Sequence, residues 1–196
     1  LLAKIGAGLL ALLLITLTFG FGLNINQQKT TKLELQPIRL PRTAIFSPRD
    51  SSFTAHWLIN PKLIPNYVQA QTQPKFRKAA RQKAEDLRDG IFALVGLNFA
   101  SDLEDWIGNE VSFSLIAPKG NKGPMGWILA LSSQDKNGVR NFLERFWQEQ
   151  AISGANVQIN NYRGIDLISA ENSPNGKFLH IFSTALVDDD LLLIGS

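Results

Sequence analysis

The chain has no cysteine and only two histidines among its 196 residues. Without thiols it can form no disulfide, thiolate metal site or cysteine nucleophile, and this absence leaves the redox compartment open. His56 and His180 are the only near-neutral proton carriers available. Each sits in an apolar stretch, His56 beside Trp57 and His180 between Leu179 and Ile181, and so reads as a strand histidine rather than an acid–base catalyst. Charge is also missing, from Ile5 to Leu23. An uncharged run of that length excludes an ordinary surface helix.

At about 1.5 Å of rise per residue such a run covers roughly the 30 Å hydrocarbon core of a bilayer, and a helix satisfies its own backbone polar groups there. Residues 1–23 are therefore expected to form a transmembrane anchor. The rival reading is a cleavable secretory signal, for which Gly20-Phe21-Gly22 would be the small-x-small site. The stretch is longer than the usual apolar core of a signal. Gly6, Gly8, Thr16 and Gly20 supply small and hydroxyl groups that permit close helix contact in lipid, with glycine tolerance in a single span as the alternative. Lys4 precedes the run, while Lys29, Lys32, Arg39 and Arg42 follow it, so charge leaves the topology open.

Residues 24–42, with Gln27, Gln28, Thr30, Thr31, Pro37 and Pro41, have the composition of a polar stalk. The remaining residues, 43–196, are enough for one domain with a real core. The closing Leu191–Ser196 reads as a buried strand, and the domain is expected to be truncated at its C-terminus.

Within the domain, Thr43–Phe46 and Ser52–Ile59 read as a strand hairpin turned at Ser47-Pro48-Arg49-Asp50. Lys62–Val95 is helical in period, with Pro65 and Pro74 marking starts or kinks and Phe76, Ala80, Ala84, Leu87, Ile91 and Val95 along one face. A short helix over Ser101–Trp106 has Ser101 and Glu104 as a capping box and Gly108 as its stop. Glu110–Ala117 and Gly126–Ser132 form a second hairpin. Its loop lacks the lysine-serine/threonine ending that a phosphate-binding loop needs. Lys136–Gln150 is the clearest amphipathic helix, with Val139, Phe142, Leu143, Phe146 and Trp147 on one stripe. Asn156–Asn160, Tyr162–Ala170, Phe178–Val187 and Leu191–Ser196 close the chain as strands, with turns at Asn161, Asn172–Gly176 and Asp188–Asp190. The fold class is α+β, a largely antiparallel sheet with helices on one face.

Chemistry-bearing clusters are few. Asp102, Glu104, Asp105 and Glu110 could pair as acid and base or bind a cation through oxygen, but they read as helix-capping acids, and their spacing matches no calcium loop. Asp188-Asp189-Asp190 reads as a turn. Trp106, Trp127 and Trp147 fall in core elements, and no aromatic ladder accompanies the basic residues, which argues against nucleic-acid binding despite a pI near 9.3. No cofactor or metal is expected.

The net charge of +3 conceals segregation: residues 24–88 carry a net +8 and residues 89–196 a net −6. Lys75, Arg77, Lys78, Arg81, Lys83 and Arg88 lie on the long helix, as a candidate contact for anionic headgroups or an acidic partner, or as a solvated face.

Gly96-Leu97-Asn98-Phe99, Asp102-Leu103-Glu104 and Trp106-Ile107-Gly108-Asn109-Glu110-Val111, followed by Tyr162-Arg163-Gly164 and Leu191–Ser196, resemble the glycine, acidic, Trp-Gly signature of a bacterial family of unknown function common in cyanobacteria. The resemblance covers about Leu40 to Ser196. It implies a single-span membrane protein with a large extracytoplasmic domain, in the thylakoid lumen or periplasm. It also suggests an accessory or assembly factor of a photosynthetic complex. The expectation is a non-catalytic interaction protein whose partners are the bilayer and a larger membrane-protein complex, with no nucleic acid. The alternative is a small-molecule or lipid carrier, or a hydrolase with its site in a further C-terminal part.

Overall fold

A computed structural model describes residues 40–118, 125–171 and 183–196. The apolar run Ile5–Leu23, with Gly6, Gly8, Thr16 and Gly20, lies outside the described residues, as does His180. Among the described residues no helix is long and apolar enough to cross a membrane. Residues Leu40–Ser196 form one unit.

Among the described residues seven strands make a single antiparallel sheet: β1 (Ser51–Trp57), β2 (Ile107–Ile116), β3 (Gly126–Ser133), β4 (Asn156–Tyr162), β5 (Ile165–Glu171), β6 (Ser183–Val187) and β7 (Leu191–Gly195). Their order is β1-β2-β3-β7-β6-β5-β4, so the last strand sits in the middle, paired with β3 on one side and β6 on the other. Three α-helices among the described residues accompany the sheet: α1 (Ile64–Gln71), α2 (Arg77–Leu94) and α3 (Lys136–Ile152).

Alternation along the strands sets one sheet face apart. Trp127, Leu129 and Leu131 on β3 share that face with Leu192 and Ile194 on β7, all nearly inaccessible to solvent. The stripe Val139, Phe142, Leu143 and Trp147 of α3 is buried in the same cluster. Trp147 Nε1 donates to Thr184 Oγ1 of β6 at 2.8 Å, and Phe142 packs on Trp106 with ring centroids 5.5 Å apart. Asp135 starts α3 by accepting from the Asn137 N–H at 2.9 Å. Gly138 in its first turn is obligatory for this packing, because a Cβ there would lie 2.7 Å from Trp106 Cβ.

The α+β class, the second hairpin, α3 and the Asp188–Asp190 turn follow the sequence reading; other elements differ. Thr43–Phe46 is not a strand, because Arg42–Phe46 coils into a 3₁₀ turn after Pro41, and β1 pairs with β2 instead. Thr43 is wholly buried; its N–H reaches Glu110 at 3.2 Å and its hydroxyl accepts from Ser112 at 2.7 Å. These tertiary bonds outweigh the β propensity of the segment. Lys62–Val95 is helical as read and divides into two helices at the expected prolines, Pro65 in the first turn of α1 and Pro74 opening the 3₁₀ turn into α2; a further 3₁₀ turn from Pro61 leads into α1. α1 and α2 pack chiefly on each other. Of the anticipated apolar stripe, Ala84 and Val95 are buried while Phe76 and Ile91 are exposed. Phe92 instead carries α2 into the core, 5.4 Å from Phe99.

The short helix at Ser101 is a single wide turn, Phe99–Leu103, closed by the Glu104 N–H on the Phe99 carbonyl. Asn98, not Ser101, caps it, accepting from the Ser101 N–H at 3.1 Å. Asp102 reaches back to the Asn98 N–H at 2.7 Å. A turn one residue wider moves the reciprocating acid from the third to the fourth position, which displaces Glu104 from that role. Gly108 is a buried strand residue against Ser132 rather than a helix stop. The hairpin expected to turn at Asn161 turns at Arg163-Gly164, both at positive φ (54° and 85°), as a two-residue turn between twisted strands requires.

Candidate functional site

Six lysines and arginines and no acid occur from Ser51 to Ala84. The fold collects most of that charge on the α1–α2 hairpin, whose connecting bend runs through Thr72 to Phe76. The sequence-nominated cations divide there into two groups. Arg81 is committed to Glu85 at 2.8 Å. Arg88 is bonded to Asp89 at 2.8 Å, and its guanidinium lies 3.9 Å from the Phe99 ring centroid. Arg77 donates from Nε to the Thr72 carbonyl, tying the bend to the first turn of α2. These three arginines are occupied within the protein. Lys75, Lys78 and Lys83 are exposed and have no ion-pair partner among the described residues; Lys75 Nζ lies 4.7 Å from the Phe76 ring centroid.

The hairpin's charge order opposes its own helix. Arg77 and Lys78 stand in the first turn of α2, whereas its acids, Glu85, Asp86 and Asp89, follow only from the middle of the helix onward. The positive end of the macrodipole thus faces cations, at a cost of about 0.3–1 kcal/mol for each nearby charge. Stability does not explain that arrangement.

A polar cleft of about 300 Å³ lies between the Phe99–Leu103 turn and the start of α3, lined by Asp102, Asp105, Asp135, Asn137, Asn141 and Arg145 among others. Arg145 crosses it, bonding the Ser101 carbonyl at 2.9 Å and approaching Asp102 at 3.6 Å. Glu104 faces Lys62 at 3.5 Å, and Glu110 serves the Thr43 backbone. Asp102, Asp135 and Glu110 are therefore taken up by caps and by backbone contacts. Among the described residues no three His, Asp or Glu side chains converge as a metal site.

His56 lies with Nδ1 2.7 Å from Ser112 Oγ. Ser112 is buried and gives its proton to Thr43, so its oxygen accepts from the imidazole. The pair is a cross-strand link of β1 and β2 that extends to the 3₁₀ turn, with the hydroxyl facing away from solvent.

Arginines outside the sequence-nominated set clamp the triple-aspartate turn. Arg42 holds Asp190 by two bonds of 2.9 Å and reaches Asp188 at 3.5 Å, while Arg140 of α3 holds Asp189 at 2.7 Å. The guanidinium bond from Arg140 lowers the Asp189 pKa, and the bond from Arg42 lowers that of Asp190. Asp190 in turn raises the Arg42 pKa. Asp188 and Asp189 sit at positive φ, 51° and 63°. Three adjacent acids signal an unusual turn, but no local pattern names two arginines 148 and 49 residues away.

The model of the family described as "Protein of unknown function (DUF3352)" matches residues 6–196. The chain belongs to the DUF3352 family. No curated protein and no solved structure matches it. The DUF3352 match takes in both the uncharged run, from Gly6 onward, and the folded unit. In this DUF3352 chain the stretch Gly96–Val111 is the connection from α2 into β2. Gly96 takes φ +83° at the helix end, and Leu97, Phe99, Leu103, Trp106 and Ile107 enter the core. This stretch thus builds the fold.

Proposed function

We propose that the chain is a non-catalytic, membrane-tethered interaction protein. The uncharged run Ile5–Leu23 acts as a single transmembrane helix, and the unit from Leu40 to Ser196 works as an extracytoplasmic docking domain, in the thylakoid lumen or periplasm. Its role is accessory: it assists the assembly or stability of a larger membrane complex, such as a photosynthetic one, by meeting an acidic surface at the membrane.

The observation that carries this reading is the division of charge on the hairpin. The arginines Arg77, Arg81 and Arg88 are engaged internally, while Lys75, Lys78 and Lys83 stand without an ion-pair partner among the described residues, Lys78 against the helix dipole. Free cations on a well-packed scaffold suit electrostatic steering and orientation toward an anionic surface. They cost the fold little when reversed.

The test is co-purification from mild detergent, comparing the parent with the triple variant Lys75→Glu, Lys78→Glu, Lys83→Glu. The expected result is a membrane complex recovered with the parent and lost with the variant, whose melting temperature is no lower than the parent's. Equal recovery by both across a salt series would reject the hairpin as the docking surface.

A further inference from the structure

We propose that the tip of the α1–α2 hairpin, Gln73–Lys78, seats directly in the headgroup layer of an anionic bilayer. This inference rests on the tethered reading above and names the acidic surface that the hairpin meets.

The tip has the chemistry of an interfacial contact. Phe76 is 52% exposed at the bend, although a phenylalanine gains from burial, and Lys75, Arg77 and Lys78 bracket it. Pro74 precedes it, also exposed. An aromatic ring among cations can sit at headgroup depth while the long lysine stems carry their ammonium groups to the phosphates.

Two features favour lipid over an acidic protein surface. The hairpin cations without a hydrogen bond or ion pair among the described residues are lysines, a residue type depleted in protein–protein interfaces, where arginine is enriched. Here the arginines are the ones bonded internally. Second, no acid interrupts the sequence from Ser51 to Ala84, so the tip presents one sign of charge without the mixed pattern that fixes register on a protein partner. A diffuse anionic layer asks only for such a field. On the tethered reading the bilayer is within covalent reach: sixteen residues, 24–39, lie between the uncharged run and Leu40, and they span at most about 55 Å.

The absence of native cysteine makes the experiment direct. A single Gln73→Cys substitution in the full chain is labelled with an environment-sensitive dye. The protein is then reconstituted in vesicles of phosphatidylcholine alone or with phosphatidylglycerol at about 7:3, compositions that differ in surface potential. Some lipids carry a nitroxide quencher near the headgroup. The expected result is a blue shift and quenching in the anionic vesicles only. Both should be lost in about 1 M salt, where the Debye length is about 3 Å, and in the Lys75→Glu, Lys78→Glu variant. Phe76→Ser keeps the charges, and should reduce the blue shift and the quenching in the same vesicles while leaving the salt dependence.

A dye that stays in water in anionic vesicles, on a chain that still resists carbonate extraction, overturns the lipid seat and leaves the tether standing. A shift that requires added solubilised membrane protein also overturns it, in favour of a protein surface. A chain that carbonate extracts, but whose dye is buried in anionic vesicles, supports the lipid seat and overturns the tether.

Discussion

Trp147 and Trp127 occupy the same core and differ in one atom's surroundings. Trp147 Nε1 donates to the buried Thr184, whereas the buried Trp127 Nε1 has no hydrogen-bond partner among the described residues. Trp147→Phe should therefore cost about 1–3 kcal/mol beyond the lost packing, since it leaves a buried hydroxyl without its donor. Trp127→Phe removes a donor that already lacks an acceptor, and should cost clearly less. Chemical denaturation of the two variants measures the difference, and a larger loss at Trp127 would contradict the hydrogen-bond assignment. At this scale the sequence was legible where a residue's role follows from local period: Val139, Phe142, Leu143 and Trp147 are buried as their spacing on α3 predicts. Phe76 and Phe92 were not legible. Both fit a helical face, but the face that is buried depends on which neighbour the helix meets, and α2 meets α1 and the Phe99 turn rather than the sheet.

Among the elements, the Asp188–Asp190 turn and the α1–α2 hairpin carry charge in opposite ways. The turn's acids are held by arginines from distant segments, and the Asp190 pKa is lowered in the fold by Arg42. A group with a depressed folded pKa contributes stability above its unfolded value, near 3.9, and loses it as pH falls through the folded value. Asp190→Asn should therefore be less stable than the parent at neutral pH, by about 1 kcal/mol for a partly exposed pair. The gap should shrink as the pH drops below about 4. Thermal melts across that range check it; a gap independent of pH would exclude the ion pair as its source.

The hairpin makes the converse case. Lys78→Glu places an acid in the first turn of α2, and should stabilise the protein by about 0.3–1 kcal/mol at low salt while weakening docking. A destabilised variant would show that Lys78 serves the fold. The sequence revealed the hairpin's charge and its prolines, because both are local. It did not reveal the division into engaged arginines and free lysines, nor the conversion of Thr43–Phe46 from strand to 3₁₀ turn, because both depend on contacts made far along the chain.

For the whole molecule, the strand order β1-β2-β3-β7-β6-β5-β4 puts β7 at the centre, where it joins the hairpin side of the sheet to the β4–β6 meander. The class and most strands were readable from alternation, whereas this insertion was not, because nothing in the pattern of Leu191–Gly195 names β3 as its partner. The proposed function depends on a part of the chain read from sequence, the uncharged run Ile5–Leu23 that the family match includes from Gly6 onward. The most direct measurement is alkaline carbonate extraction of membranes from cells expressing the full chain, with immunodetection of the intact protein. Carbonate and high salt strip proteins held by peripheral charge contacts, but do not offset the burial of a full apolar helix. The intact chain is predicted to stay in the pellet, with or without the lysine reversals. Its quantitative release as a folded, full-length protein would contradict the tether, and with it the proposed role at a membrane complex.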